Sequence, residues 1–562
     1  MTKVVGTGAP VERVGVPSPA VDTPFSTDGT RSVPTTPIYA LLIVISTAMM
    51  TARVMRIDSS DAKSPTPFLS ANDRSRWATI RALGDDGTYV LDPIIFSPRG
   101  GRILGWHSID LVRHGGPDGE PHYYSSKPTL LTTLLAGEYW LVKKLTGATL
   151  AEQPHYVSRL MLVLTNVLPL AAALALLARL LDRLGGSDGV RIFAVAVASF
   201  ATFLTTYAVT LNNHLTAAIS LTIGLAVSLP IWSGDCRAWW RFAVAGLSFG
   251  FLAANELPAL SMLVLVGAGL LWKSPLRTAA AFVPAALAVA VGAFGTNILA
   301  HGDWRTPYAH RSDGAQLGMI ADSLVVPLNE GRATPGLIAA LREQKIEVSD
   351  KPAIEQRIPG NRWKLWDEST QTELALQRTP EGEPRGGIHV HAWDNWYDYP
   401  GSYWTPQRLA GIDRGEPSPW KYAFNVLIGH HGLFSLTPLW LLSVAGCLMW
   451  LRAGERWDAR RALAVATLLI SAVVIAFYLT RPQIDRNYGG GTCCLRWLIW
   501  LTPLWLLTML PAADWLSRTW LGRGVLLALL AVSVFSAHYA ADNPWSHPWI
   551  FDYWTALGWI RY

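Results

Sequence analysis

The chain has 562 residues, of which half are hydrophobic and only 16% are charged, and its mean hydropathy is +0.24. This composition is too apolar for a series of soluble domains, so we expect a polytopic membrane protein of the all-α class. The net charge of +6 is small for this length, and we expect no nucleic-acid partner. Four cysteines, Cys236, Cys447, Cys493 and Cys494, lack zinc-site spacing, and we predict neither a disulfide framework nor a redox role.

Long apolar runs follow a tail, residues 1–37, that is rich in Pro, Ser, Thr and Gly and predicted to be disordered. Because a membrane-spanning helix needs roughly 20 apolar residues, we predict about eleven spans. They lie near 38–55, 159–182, 190–209, 214–232, 239–254, 258–272, 278–299, 432–452, 461–480, 495–512 and 522–540. "NELP" separates the fifth from the sixth, which favours a tight hairpin over one broken helix.

The short loops predict the orientation. Loops such as "RLLDRLGGSDGVR", "WKSPLRT" and "RAGERWDARR" are basic and fall on one side of the count, whereas "TYAVTLNNH" and "NEL" carry no Lys or Arg. Since basic loops stay in the cytoplasm, the N-terminus is predicted inside and the tail 541–562 outside. Two large segments, 56–158 and 300–431, then lie outside. Whether 300–431 forms an independent domain stays open.

One stretch of the first outer segment, "SANDRSRWATIRALGDDGTYVLDP" from Ser70, reads as the start of a helix. Asn72 or Asp73 stands at the expected N-cap position. Asp73 either only caps the helix or also serves as a general base that takes a proton from an acceptor hydroxyl. The two interpretations are compatible, because a cap uses one carboxylate oxygen and leaves the other free.

A second stretch, "HYYSSKPTLLTTLLAGEYWLVKKL", begins polar and turns apolar. Pro128 suits the first turn of a helix, and we predict an amphipathic helix along the outer membrane interface with Tyr139 and Trp140 at headgroup depth. Lys127 either snorkels to the interface or contacts a lipid phosphate.

The late outer loop "RPQIDRNYGGGTCCLRW" places Arg481, Arg486 and Arg496 where basic residues are uncommon. Arginine binds phosphate through paired hydrogen bonds, and Gly489–Gly491 would let backbone amides approach an anion. Ion pairs with Asp485 and headgroup contacts are the alternative.

Further polar residues gather at the predicted outer ends of the spans, where one cleft could recruit them. These cleft candidates are Asn72, Arg76, Tyr124, His214, Glu256 and His430. His214 and Glu256 could equally be ordinary turn residues. "HAWDNWYDYPGSYWTPQ" from His391 suits either sugar or peptide binding or the core of a loop domain. His107, Asp110 and His114 of "HSIDLVRH" could bind a divalent metal, although they lack a defined helical spacing.

The order of these features resembles the integral-membrane GT-C glycosyltransferases, most nearly the protein O-mannosyltransferases and aminoarabinose transferases. The shared frame is a cytoplasmic N-terminus, one span, a large outer loop with an early Asp, a Lys-Pro entry to an interfacial helix and then many spans. The resemblance implies that Asp73 is the catalytic base, that Lys127 and Pro128 match the Lys-Pro signature of the donor site, and that Arg496, by weaker analogy, contacts phosphate. Asn72 before Asp73 and the long 300–431 loop depart from that pattern.

The implied reaction moves a hexosyl or pentosyl unit from a polyprenyl-phosphate donor to a lipid, glycan or protein acceptor outside the cytoplasmic membrane. One essential carboxylate predicts a single displacement with inversion. The scheme requires no cofactor and no metal. A secondary transporter, a non-catalytic scaffold of the cell envelope and a lipid-linked glycan ligase or polymerase are the alternatives. The transporter is disfavoured because no internal repeat is visible.

Overall fold

The structure is a computed structural model that describes residues 35–562, with gaps at 60, 62, 117, 380–385, 406 and 454–457. The predicted disordered tail therefore lies almost wholly outside the described residues, and the first helix begins at Thr35. Helices of eight or more residues cover the following ranges: Thr35–Arg56, Ala71–Asp86, Thr129–Thr146, Pro154–Leu184, Asp188–Val209, Asn213–Trp232, Trp239–Asn255, Leu257–Lys273, Pro275–His301, Pro335–Glu343, Pro419–Leu427, Trp440–Arg452, Ala459–Leu479, Arg496–Thr508, Leu510–Ser517, Trp520–Tyr539 and Trp549–Ala556.

Seven helices within the described part of the chain are long and apolar enough to cross a membrane, or eight if a bent pair counts as one span. That pair, Arg496–Thr508 and Leu510–Ser517, bends by 48°. The chain is thus an integral membrane protein, but the prediction of eleven spans is not confirmed. Each predicted run is largely helical, yet three helices, Trp239–Asn255, Leu257–Lys273 and Trp440–Arg452, are too short to count, because apolar composition alone does not reveal where a helix ends.

The "NELP" break joins two separate helices that pack against each other, as the hairpin interpretation requires. Glu256 between them has an extended backbone, with φ −134° and ψ 101°. Pro258 then lies in the first turn of the following helix, where its missing N–H group is tolerated.

Contacts between helix ends show which loops lie on the same side of the bundle. On the side of the basic loops, Tyr39 donates a hydrogen bond of 3.0 Å to Asp182, and the backbone N–H of Ser187 donates one of 3.0 Å to Asp514. On the opposite side, Arg159 donates one of 2.6 Å to the carbonyl of Ile57. This sorting agrees with the predicted alternation of loops, whereas the orientation in the membrane stays a prediction.

Exposed tryptophans mark the helix ends on the basic side, as expected for rings at a membrane interface. They are Trp239, Trp240, Trp272, Trp515 and Trp520, each between 48% and 84% exposed. Basic side chains lie over rings at the same level: Arg241 over Trp240 at 4.8 Å and Lys273 over Trp232 at 5.0 Å.

The expectation of an all-α protein is confirmed only in part, because the chain is mostly helical but the segments 56–158 and 300–431 contain two antiparallel sheets. Strands β1 (Leu111–Gly115) and β2 (Pro121–Ser125) form a hairpin. A five-stranded sheet has the order β3-β7-β6-β5-β4. Its strands are β3 (Gln316–Ala321), β4 (Ala353–Ile358), β5 (Arg362–Asp367), β6 (Thr372–Arg378) and β7 (Gly387–Ala392).

The five-stranded sheet has a hydrophobic core separate from that of the helix bundle. Trp363 and Leu365 of β5 are fully buried, as are Leu374 and Leu376 of β6 to within 1%. The Pro335–Glu343 helix covers this face with Leu337 and Leu341. Alternating apolar residues in "RWKLWD" and "TELALQR" carry the period of two typical of a half-buried strand. The sequence analysis did not predict these strands, because their alternating pattern covers only six or seven residues and is much shorter than the apolar runs.

The predicted interfacial segment is a helix from Thr129 to Thr146, with Pro128 directly before its first residue. The depth of Tyr139 in the membrane stays a prediction, but its side chain does not face the surroundings of the protein. It is fully buried against the Ala71–Asp86 helix, where its hydroxyl donates a hydrogen bond of 2.8 Å to Asp85 and accepts one from the backbone N–H of Leu150. Trp140 is 51% exposed, so its position at the interface stays a prediction.

Two helices approach each other closely at Gly446. A substitution of this glycine therefore tests the helix packing described here. A Cβ atom added there would lie 2.0 Å from the carbonyl oxygen of Thr508. We expect Gly446→Ala to lower the free energy of unfolding by about 1–3 kcal/mol, because the backbone of the neighbouring helix must shift. Circular dichroism of the detergent-solubilised protein during thermal unfolding measures this.

Gly295→Ala is the matched control, since nothing lies within 4 Å of its added Cβ atom. It is expected to leave stability unchanged or to raise it, because alanine is the better helix former by about 1 kcal/mol. Equal stability of both variants would contradict the packing described here.

Candidate active site

The N-cap of the helix that carries Asp73 lies two or three residues earlier than the predicted position at Asn72 or Asp73. Ser70 is the N-cap, and its hydroxyl accepts a hydrogen bond of 3.1 Å from the backbone N–H of Asp73. Asn72 and Asp73 therefore lie inside the first turn and not at the cap. The acidic side chain is still favourably placed, since the N-terminal end of a helix attracts negative charge.

Both carboxylate oxygens of Asp73 accept hydrogen bonds from backbone N–H groups. The prediction was that one of the two oxygens stays free, and neither does. One oxygen accepts from Leu69 at 3.2 Å, just before the helix, and the other accepts from Leu211 at 3.1 Å, between two membrane helices. Asp73 is only 3% exposed. Each oxygen has a second lone pair, so the carboxylate still has capacity to accept a proton.

Burial raises the pKa of Asp73 from 3.8 to about 6, because water no longer stabilises the charged form. The hydrogen bonds from Leu69 and Leu211, with the hydroxyl of Thr210, act in the opposite direction and limit the rise. A carboxylate with a pKa near 6 is ionised at neutral pH and is a stronger base than an ordinary aspartate.

A polar network extends from Asp73 along the ends of the membrane helices that lie opposite the basic loops. Arg76, one turn further along the helix, donates to the side-chain oxygens of Asn72 and Asn213, the second at 2.6 Å. Asn213 in turn donates to Glu256 at 2.8 Å. These contacts join the outer loop to two turns of the bundle.

His214 and Glu256 complete this network. They form a hydrogen-bonded pair, and both side chains are at least 95% buried. The other ring nitrogen of His214, Nε2, is buried without a hydrogen-bond partner among the described residues. The structure therefore brings together Asn72, Asp73, Arg76, His214 and Glu256, and an ordinary solvated turn does not describe the last two.

Lys127 is not an unpaired interfacial cation. Its ammonium lies 3.0 Å from the carboxylate of Asp110, and both side chains are more than 90% buried. Tyr308 is its second neighbour, at 3.5 Å between Nζ and the hydroxyl. Ser108 donates to the carbonyl of Ala71 at 2.6 Å, which ties the Asp110 loop to the start of the Asp73 helix.

Arg496 reaches the same region from the late outer loop. Its guanidinium lies 4.8 Å from the centre of the Trp545 ring, and Trp545 donates a hydrogen bond of 3.0 Å to the Thr210 hydroxyl, next to Leu211. The Nε–H group of Arg496 is buried without a hydrogen-bond partner in the described chain. Burial lowers the pKa of Arg76, and the positive charge of Arg496 lowers it further, so the two guanidinium groups act on each other.

Gly489 makes room for the Arg496 side chain. A Cβ atom added to Gly489 would lie 2.9 Å from Nε of Arg496, and its φ of +96° is one that other residues rarely adopt. The predicted glycine segment therefore borders the arginine.

Three predicted residues contact groups other than those of the Asp73 network. Arg486 donates to the carbonyl oxygens of Arg481 at 2.9 Å, Glu416 at 3.3 Å and Pro417 at 3.0 Å, so local backbone occupies its guanidinium. Tyr124 stacks on His114 at 4.3 Å. His430 is buried and lies 3.0 Å from the hydroxyl of Tyr562.

The sequence analysis missed several neighbours of the site. Asp110 was considered only as a metal ligand, although the hairpin β1–β2 places it opposite Lys127. Asp413, whose pKa burial raises, and Trp545 come from distant loops and had no local signal. Tyr308 follows the Pro275–His301 span, and only its position just outside a predicted helix could have suggested it.

Among the described residues, no group of three or more His, Cys, Asp or Glu is arranged to hold a metal ion, and all four cysteines are free. The chemistry available at the site is a buried carboxylate that accepts a proton, with Arg76 near it and Arg496 linked to it through Trp545 and Thr210. Such a set suits proton abstraction beside a developing negative charge.

No family model matches the chain, and no curated protein matches it. Its structure is similar to the S. cerevisiae protein O-mannosyltransferase Pmt1-Pmt2 complex bound to the sugar donor, with a TM-score of 0.46, 11% identity, and 93% of this chain and 92% of that chain covered. It is also similar to the Archaeoglobus fulgidus oligosaccharyltransferase tethered with an acceptor peptide, with a TM-score of 0.44 and 12% identity. A further similarity is to archaeal AglB in complex with an inhibitory peptide and a dolichol-phosphate, with a TM-score of 0.41 and 13% identity.

These solved structures are GT-C superfamily glycosyltransferases. The present chain spans 57% of each archaeal chain, with 93% of its own residues covered. Identities this low and TM-scores below 0.5 assign no function to the chain, which leaves the residues of the site as the evidence for one.

The buried pair Lys127–Asp110 can be tested by a double-mutant cycle. We expect Asp110→Asn alone to lower the free energy of unfolding by about 3 kcal/mol, because it leaves a buried charge without its partner. The double variant Asp110→Asn/Lys127→Met is expected to lose clearly less than the sum of the single changes. Denaturant unfolding in detergent measures the cycle, and additive losses would contradict a direct pair.

Proposed function

We propose that the protein is a membrane glycosyltransferase that moves a sugar from a polyprenyl-phosphate donor to an acceptor hydroxyl, with Asp73 as the general base. The observation that carries the proposal is the buried Asp73 carboxylate at the outer ends of the membrane helices, beside Arg76 and Arg496. A lipid-linked donor suits this place, since its chain can stay in the bilayer while its headgroup reaches the helix ends.

Arg496 is the best candidate to bind the donor phosphate. Its Nε–H group has no hydrogen-bond partner among the described residues, and a phosphate oxygen would supply one. Arg76 adds a second guanidinium nearby, although Asn72 and Asn213 already accept from it. Lys127 can take part only if the phosphate shares it with Asp110, and Arg486 is left out because carbonyl groups occupy it.

The reaction is a single displacement. Asp73 accepts the proton of the acceptor hydroxyl while that oxygen bonds to the anomeric carbon. The bond from this carbon to the phosphate oxygen breaks on the opposite face, and polyprenyl phosphate leaves with the electron pair. Inversion follows from attack on the opposite face. Cations positioned before the reaction stabilise the negative charge that develops on the phosphate.

The remaining features of the proposal follow the predicted orientation. The N-terminus lies in the cytoplasm, and the site faces the outside of the cytoplasmic membrane. The acceptor is a lipid, glycan or protein of the cell envelope, and neither a cofactor nor a divalent metal enters the scheme.

Asp73→Asn is the main test. We expect it to lower kcat by about 10²–10⁴-fold, the usual contribution of a general base, while donor binding is retained. The measurement is release of polyprenyl phosphate from a panel of polyprenyl-phosphate sugars, with membrane extracts as acceptors.

Asp86→Asn is the matched control, because it makes the same change at an exposed position of the same helix. It is expected to keep full activity. Arg496→Gln should instead weaken donor binding. An active wild type that Asp73→Asn leaves unaffected would limit Asp73 to a structural role, and release of polyprenyl diphosphate from a diphosphate-linked donor would favour the ligase alternative.

The pH dependence gives an independent test of the base. Because Asp73 must be ionised to accept a proton and its pKa is raised to about 6, kcat/KM is expected to rise with pH up to a plateau above pH 7. An unperturbed aspartate would leave the rate flat down to about pH 5. The residual activity of Asp73→Asn is expected to lack the limb near pH 6, and its persistence would assign that limb to another group.

A further inference from the structure

Two short helices carry large apolar side chains that the protein itself leaves uncovered. On the Pro419–Leu427 helix these are Trp420, Phe424 and, just beyond its end, Ile428, which are between 48% and 85% exposed. Their spacing of four residues places all three on one face of the helix. Tyr422, on another face, is fully buried against the protein. The helix is therefore amphipathic in an unusual sense, because both its buried and its exposed faces are apolar.

The Trp549–Ala556 helix shows the same pattern. Tyr553 and, just after the helix, Leu557 are 56% and 45% exposed, again four residues apart. The two helices are neighbours, because the ring of Phe424 lies 6.5 Å from that of Trp554, with the ring planes 17° apart. We call the exposed side chains of both helices the apolar platform. Its members are Trp420, Phe424, Ile428, Tyr553 and Leu557.

Hydrogen bonds place both helices at the end of the bundle that lies opposite the basic loops. Asn425 of the first helix donates one of 3.0 Å to the hydroxyl of Tyr488, in the late loop that contains the three glycines. Just before the second helix, Trp545 donates one to the Thr210 hydroxyl, a contact of the candidate active site. The platform therefore belongs to the same end of the molecule as Asp73.

The second helix continues the apolar surface of a membrane-spanning helix. The ring of Trp549 lies 5.6 Å from that of Phe535 in the Trp520–Tyr539 span, and its indole N–H group donates a hydrogen bond of 2.9 Å to Ser536. Phe535 is 53% exposed, and an exposed apolar ring on a membrane-spanning helix faces lipid. The apolar surface thus runs without a break from the lipid-facing side of the span onto the second helix.

The composition of the platform suits the boundary between a bilayer and water. The stretch "PWKYAFNVLI" contains no acidic residue, and Lys421 is its single charge. The second helix has one acidic residue, Asp552, which accepts a hydrogen bond of 2.9 Å from Tyr539 at the end of the span. Trp and Tyr rings with few charges beside them are typical of the membrane interface, and exposed apolar surface of this kind marks a contact with lipid or protein. The continuity with the span favours lipid.

We propose that the apolar platform is a lipid-binding surface, with both helices lying along the membrane interface and the platform side chains inserted between headgroups and acyl chains. Such helices insert about 5–10 Å into this boundary. Asn425 ties the first helix to Tyr488, which directly precedes Gly489. Insertion of the platform therefore also fixes the level of the glycine loop relative to the bilayer. Lipid binding does not depend on sugar transfer, so it is tested without a substrate.

The test is site-directed spin labelling of the full chain reconstituted in phosphatidylcholine vesicles. Trp420→Cys and Tyr553→Cys place the label in the platform, where substitution removes few contacts within the protein. Each variant also carries Cys236→Ser, since the other three native cysteines are buried. Power saturation measures how often the label collides with oxygen, which concentrates in the hydrocarbon, and with a nickel chelate, which stays in water.

Leu527→Cys and Thr370→Cys are the matched controls. Leu527 is 63% exposed on the Trp520–Tyr539 span and reports the bilayer, whereas Thr370 lies in the exposed turn between β5 and β6 and reports water. At both platform positions we expect the ratio of oxygen to nickel collisions to lie above that at Thr370 and below that at Leu527. The expected depth is about 5–10 Å below the headgroups.

Three outcomes would overturn the proposal. A ratio equal to that at Thr370 would mean that water covers the platform. A ratio equal to that at Leu527 would place the helices in the hydrocarbon core. Few collisions with either reagent would mean that protein covers the platform, and spin–spin broadening would then identify a second copy of the chain. If one of the two variants does not fold, Ile428→Cys supplies a third platform position with the same expected ratio.

Discussion

The structure depends on the way one side chain, Asp73, joins the outer loop to the helix bundle. Its carboxylate accepts from Leu69 on the loop and from Leu211 between two membrane helices. Each of these backbone N–H groups points at one of the two buried oxygens, and the carboxylate thereby holds the two segments together. The same burial that makes the contact structural also raises the pKa of the carboxylate, so packing and reactivity have one physical cause.

Around this contact, buried charges are accommodated by pairing. Asp110 balances Lys127, and Glu256 balances His214 and accepts from Asn213. Arg496 is satisfied less completely, because its Nε–H group has no hydrogen-bond partner among the described residues, a feature that it shares with Arg74. A buried cation that lacks one hydrogen-bond acceptor destabilises the free protein. The same arrangement suits a site that binds an anion, since the anion then supplies the missing acceptor and removes this cost in free energy.

The outer part of the molecule adds a second level of organisation. A five-stranded sheet with its own core stands beside the bundle, and the stretch after β7 runs back to the β1–β2 hairpin. The aromatic residues of this stretch therefore lie between the sheet and the loops of the candidate site. This position explains why the long 300–431 segment is not a mere connection between membrane helices.

The sequence predicted that the long apolar runs are helical and, together with the charges of the short loops, that Asp73, Arg76, His214 and Glu256 share one end of the bundle. Run length and loop charge are local properties, and successive spans must alternate sides, so this much can be counted along the chain. Only the tertiary structure decided that Ser70 is the cap, that both oxygens of Asp73 are occupied, and that Lys127 pairs with Asp110 while Arg486 binds local carbonyl groups. Those outcomes depend on distances between residues far apart in the chain, which no local pattern encodes.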